Sequence, residues 1–154
     1  ITKSWGIDVS PDFSPDGKKI VFSSKRSGTP QIYIKDFESD RPIRLTFNGK
    51  NNTSPAWSPD GKKIAYVGIE DNNIDIFVMP LDTGTPVQLT MNQGDNEDPS
   101  WSPDGSMLAF TTTREGGVSR IFVMNASGSD PRRLLSLKGR QTQPDWSLSK
   151  GTEN

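Results

Sequence analysis

The run Pro-Asp-Phe-Ser-Pro-Asp-Gly at Pro11 to Gly17 returns at Pro55 to Gly61 with Ala-Trp in the middle, and at Pro99 to Gly105 with Ser-Trp, a step of 44 residues each time. A decayed fourth copy starts at Pro144. A period of roughly 40 to 45 residues that holds several strands and turns is the mark of a β-propeller blade, a small antiparallel sheet that buries its faces only against neighbouring sheets. The constraint is severe, because three such units cannot close a ring.

Within the second copy, Pro55 to Ser58 reads as a short apolar strand, and Ser58, Pro59, Asp60 and Gly61 supply in order the residue types of a type I turn. Further strands are predicted at Lys62 to Val67, Asp75 to Met79 and Pro86 to Thr90, with Asp71, Asn72 and Asn73 as a hairpin loop. The first copy carries the matching strands at Lys19 to Phe22, Gln31 to Ile34 and Ile43 to Thr46. The third carries them at Met107 to Phe110, Arg120 to Met124 and Arg132 to Leu135. No stretch shows a capped helical period. The expected fold is all-β: a β-propeller of three four-stranded blades over 1–50, 51–94 and 95–139, followed by one extra closing strand over 140–154.

Phe13, Trp57, Trp101 and Trp146 hold one position of the repeat, where a large aromatic is expected to pack between adjacent sheets. Its return in every unit favours packing over a stacking platform for a ligand, which would be needed once. The aspartates of the Ser-Pro-Asp-Gly turns are read in the same way, as turn formers.

Composition removes several functions. The 18 basic and 19 acidic side chains nearly cancel, which leaves no basic face for nucleic acid. With no cysteine there is neither a disulfide nor a thiolate metal site. No apolar run approaches the roughly 20 residues of a membrane-spanning helix. Ile1 opens directly into polar sequence without a signal peptide, and the expectation is a piece of a longer protein. Histidine is absent and no Gly-x-Ser-x-Gly elbow occurs, so no catalytic residues are assigned and an enzyme is not expected.

The consensus of Pro-x-Trp-Ser-Pro-Asp-Gly, then Lys-x-Ile-Ala-Tyr or Leu-Ala-Phe, then Ile-Phe-Val-Met, then an Arg-Leu-Thr type strand resembles the PD40, or WD40-like, propeller repeat of TolB, the periplasmic component of the bacterial Tol-Pal envelope system. Gly6 to Pro11 with Arg26 to Tyr33 resembles an interior blade of that family, and Gln143 to Ser147 resembles its final strand, which returns to complete the first blade. Leu148, Ser149 and Lys150 depart from the family pattern, which has a Pro-Asp pair there. The resemblance implies the carboxy-terminal half of a six-bladed propeller. It also implies a non-enzymatic periplasmic scaffold that binds the lipoprotein Pal and serves outer-membrane integrity and cell division. Similar repeats occur in prolyl-oligopeptidase-like peptidases, so the alternative expectation is the substrate-gating propeller of such an enzyme.

Three residues before each motif proline stand Asp8, Asn52, Asn96 and Gln141. If the inner strands line an axis, these ring one mouth of a channel, made acidic by Asp8, Glu97 and Asp98; equally, such side chains satisfy backbone groups at strand starts. Oxygens of this kind also suit a calcium ion, yet no calcium loop is present, and no metal or other cofactor is assigned. The partner-binding residues expected at the mouth are Asp8, Asn52, Thr53, Asn96, Glu97 and Asp98. Uncovered faces at both ends of the array also raise the expectation of a homodimer that completes a six-bladed ring.

Overall fold

Each Ser-Pro-Asp-Gly tetrad closes its turn by the same set of bonds. Gly61 N donates to Ser58 O at 2.9 Å, the Ser58 hydroxyl donates to Asp60 Oδ1 at 2.6 Å, and Asp60 Oδ1 also accepts from Lys62 N at 3.0 Å. The Ser14–Asp16 and Ser102–Asp104 pairs repeat the 2.6 Å contact. Gly17, Gly61 and Gly105 sit at φ of 69°, 73° and 71°, a region that glycine reaches without Cβ strain. The serine hydroxyls, and after them backbone N–H groups, hold Asp16 and Asp60 below the ordinary carboxylate value and Asp104 down to about 2. The aspartates are turn formers, as their recurrence implies.

These turns join twelve strands in the computed structural model, which describes residues 6–147 and contains no helix among them. The first sheet runs β1 (Asp8–Phe13), β2 (Lys19–Ser24), β3 (Gln31–Asp36) and β4 (Ile43–Arg44). The second runs β5 (Asn51–Trp57), β6 (Lys63–Glu70), β7 (Asn73–Pro80) and β8 (Val87–Gln88). The third runs β9 (Asn96–Trp101), β10 (Met107–Thr112), β11 (Arg120–Asn125) and β12 (Arg132–Arg133). Every sheet is a meander of antiparallel neighbours. β5 touches β1 on one side and β9 on the other, whereas β4, β8 and β12 touch only the strand beside them in their own sheet. The sheets therefore fan outward from adjoining inner strands, which is a propeller arrangement.

The outer strands are shorter than the sequence suggests. Thr46 and Thr90 leave the ladder because their hydroxyls accept from Ile32 N and Ile76 N, each at 2.9 Å. The inner strands each carry a bulge: Ser10 and Pro11 oppose Phe22, Ser54 and Pro55 oppose Tyr66, and Asp98 and Pro99 oppose Phe110. The residue before each proline takes a left-handed conformation, with φ of 51°, 49° and 53° at Ser10, Ser54 and Asp98.

Apolar layers fill the two junctions. Trp57, Ile64, Tyr66 and Met79 of the second sheet meet Val21, Ile32, Ile34 and Leu45 of the first. Trp101, Leu108, Phe110, Phe122 and Met124 of the third meet Ala65, Ile76 and Val78 of the second. Phe13 is a correction: it is 57 % exposed and touches only Phe37 among aromatic rings, because no sheet precedes it among the described residues. Of the extra strand expected over 140–154, residues 140–147 carry no ladder among the described residues. They nevertheless lie along β9, with Gln143 N donating to Asp98 Oδ2 and Trp146 Nε1 donating to Ser100 O. Their backbone pairs at one point among the described residues, Gln141 N donating to Ser119 O at 3.0 Å. Residues 1–5 and 148–154, including Leu148 to Lys150, lie outside the described residues.

Candidate functional site

The bulge decides where the inner-strand polar residues go. In a regular strand Asn52 and Trp57, five positions apart, would point to opposite faces; the extra residue returns both to one side. Asn52 and Asn96 are accordingly buried, at 3 % and 0 % exposure.

Each joins a polar cluster that ties one blade to the next. Asn52 Nδ2 donates to Gln31 Oε1 at 2.9 Å and to Asn48 O at 2.8 Å, while Gln31 Oε1 also accepts from the Thr46 hydroxyl at 2.7 Å. One repeat later, Asn96 Nδ2 donates to Asp75 Oδ1 at 3.1 Å and to Gly94 O at 2.8 Å, and Asp75 Oδ1 accepts from the Thr90 hydroxyl at 2.8 Å. At the third junction the corresponding outer-strand residue is Leu135, which has no hydroxyl, and Gln141 Oε1 accepts directly from Ile121 N at 3.4 Å. Hydrogen-bonded buried polar groups favour one geometry, so these clusters set the blade spacing. Gln31, Thr46, Asp75 and Thr90 were not singled out from the sequence, although the 44-residue recurrence of threonine was a visible signal.

The remaining candidates separate. Asp8 is held by Arg26, whose Nη2 lies 3.1 Å from Asp8 Oδ2. That guanidinium lies over Phe22 and Tyr33, 5.1 and 4.8 Å from the ring centres. Arg114 repeats the arrangement over Phe110 and Phe122 at 5.2 and 4.9 Å, donating from Nη2 to Asn96 Oδ1 at 3.1 Å. Asp98 accepts from the Thr111 hydroxyl at 3.1 Å, and Thr53 is half-buried in the ladder opposite Val67. Glu97 is exposed, and its carboxyl is raised above the ordinary value by partial desolvation, then by the charges of Asp98 and Asp95, with Arg140 opposing. Among the described residues, Thr53 and Glu97 are thus the candidates whose side chains make no hydrogen bond. Among the described residues no group of three or more acidic side chains comes together to hold a metal ion.

Comparisons with known proteins agree with this architecture. The family model described as the TolB beta propeller domain matches residues 1–150. A protein TolB homolog of Chlorobium luteolum is 49 % identical over 148 residues, covering 96 % of this chain and 34 % of the relative. The chain thus spans about a third of that relative's length. The crystal structure of TolB from Acinetobacter baumannii superposes with a TM-score of 0.83 at 38 % identity, over 94 % of this chain and 36 % of that one. A structure from a structural and mechanistic analysis of two prolyl endopeptidases is similar at a TM-score of 0.66 and 19 % identity, over 87 % of this chain and 22 % of that one, a likeness of fold alone. With its repeats, its fanned four-stranded sheets and its match to the family along nearly all of its length, the chain belongs to the TolB β-propeller family.

Proposed function

We propose that this chain is a recognition surface of a TolB-type component of the Tol-Pal system, working in the periplasm as a scaffold without chemistry of its own. The observation that carries this reading is the rigid fan of sheets, which presents hairpins and inter-blade loops on a fixed frame, the setting in which binding residues usually sit. Kinship with TolB at 49 % identity supports the same role, and histidine, the usual general base, is absent from the sequence. The partner is the peptidoglycan-associated lipoprotein Pal, and the contact face includes Thr53 and Glu97, with Asp8 and Asp98 shaping its charge and Asn52 and Asn96 fixing it from below. Titration calorimetry of the chain with soluble Pal is expected to show binding that weakens severalfold when Thr53 and Glu97 are both replaced by alanine. A chain that binds Pal equally well after that change has its contact face elsewhere, and a chain that gives no heat with Pal does not have this function.

The same reading includes self-association. Phe13 at the β1 end is 57 % exposed on the side of the first sheet away from the second, an apolar contact that a second copy covers in a six-bladed arrangement. Light scattering is expected to give a dimer mass that falls on dilution; a monomer at every concentration removes the dimer.

A further inference from the structure

The three blades are not equivalent at one place. In the first and third, an arginine that follows the second strand folds back over the aromatic pair of its own blade and donates to the side chain three residues before the motif proline. Arg26 does so to Asp8, and Arg114 to Asn96. The corresponding residue of the middle blade is Glu70, and the hydroxyl residue that braces each arginine, Ser24 or Thr112, is replaced by Gly68. The middle hairpin is also tighter. Its ladder continues to the Glu70–Asn73 pair and turns through Asp71 and Asn72, both at positive φ.

What the arginines cover elsewhere stays open here. Tyr66 and Phe77 stack with centroids 5.6 Å apart, and Phe77 is only half-buried, whereas its counterparts Tyr33 and Phe122 are each 5 % exposed. A cavity of about 260 Å³ lies at this point, lined by Asn52, Tyr66, Gly68, Glu70, Phe77 and Gln88 among others, none of them basic. Asn52 is 3 % exposed, and its amide nitrogen is fixed by two carbonyl acceptors, so its oxygen is the free end. Among the described residues no donor reaches that oxygen, although the equivalent oxygen of Asn96 accepts from Arg114. It stands 3.2 Å from where a side chain on Gly68 would begin. Glu70 lines the same cavity as the Tyr66 and Phe77 rings, and burial, then its charge, pushes the Tyr66 hydroxyl above its ordinary value.

We propose that the middle blade is a receptor for an arginine side chain presented by a partner protein, with the guanidinium stacked on Phe77, hydrogen-bonded to Asn52 Oδ1 and paired with Glu70. The two flanking blades display the bound form, each with an arginine of its own in the seat. A guanidinium suits the seat better than an ammonium because it is planar, stacks on a ring face and directs donors to two acceptors at once. The inference does not depend on which protein is the partner.

The test uses the 154-residue chain and N-acetyl-arginine N-methylamide, with the citrulline analogue as its neutral isostere and the lysine analogue as a second cation. Chemical-shift titration is expected to move the Phe77 and Tyr66 ring signals and the Asn52 side-chain amide, with citrulline and lysine each about tenfold weaker. Glu70→Gln is expected to weaken the arginine probe, and Glu70→Arg, which fills the seat from within, to abolish its binding. Phe77→Leu removes the stacking face without touching the acidic group and should likewise abolish binding while the remaining amide spectrum stays dispersed. Equal shifts with citrulline or lysine, undiminished binding in Glu70→Arg or Phe77→Leu, or shifts confined to other residues would overturn the proposal.

Discussion

The indole nitrogen of Trp101 donates to the carbonyl oxygen of Ala56 at 3.2 Å, across the junction between the second and third sheets. Trp146 repeats the bond to Ser100 at 3.1 Å, so the fourth copy of the motif docks on the third as the third docks on the second. Trp57 has no such acceptor among the described residues.

Burial separates residues that the repeat makes equivalent. Trp101 is 8 % exposed and Phe13 57 %, so Trp101→Ala is expected to cost about 3–5 kcal/mol and Phe13→Ala less than about 1 kcal/mol. Urea denaturation of the two variants measures the difference, and equal losses would contradict the packing described.

Asn96 and Asn52 should differ in the same experiment. Asn96→Ala removes bonds to Asp75, Gly94 and Arg114 at a fully buried position and is expected to cost about 2–4 kcal/mol. Asn52→Ala removes two bonds and leaves Gln31 Oε1 with its Thr46 donor, so it should cost less.

Glu97 makes stability fall as pH rises. Its folded-state value lies above the ordinary 4.5, so between the two values the folded chain binds more protons than the unfolded one, and the penalty is complete at neutral pH. Glu97→Gln is expected to raise stability at neutral pH by no more than about a few tenths of a kcal/mol for so exposed a group, read as a slight rise in melting temperature. The gain should vanish below the ordinary glutamate value.

Asp104 carries the opposite sign. Its folded-state value is lowered from 3.8 to about 2, so its contribution is complete above 3.8 and is lost as the pH falls towards 2. Asp104→Asn should therefore lower the melting temperature at neutral pH, and the gap between variant and parent should narrow in acid. A gap that is independent of pH would mean that the charge of Asp104 plays no part in the turn.

Turns and strand order were legible because they depend on local chemistry: Ser-Pro-Asp-Gly forms the same turn wherever it occurs, and the apolar runs after it pair with their chain neighbours. The facing of the inner strands was not legible. A left-handed Ser10, Ser54 or Asp98 before proline shifts the alternation by one residue, and only that shift shows that Asn52 and Asn96 turn inward. Over 140–147 the inner-strand sequence meets no second strand among the described residues and carries no ladder, since a strand exists only where another pairs with it. The arginine seats were beyond reach because the connections from Ser24 to Gln31 and from Gly68 to Asp75 are equally long, yet only the second continues its ladder to the Glu70–Asn73 pair, so hairpin conformation and not spacing decides where Arg26 and Arg114 fold back.

Of the three sheets, the middle one alone has a described sheet packed on each side, and it is also the one whose hairpin lacks a home-grown guanidinium. Thermal fraying of a stacked array starts at its ends. Any visitor gripped beside Phe77 is thus moored to the most durable segment of the molecule, and a tug on that visitor would be felt by the last portion to come apart.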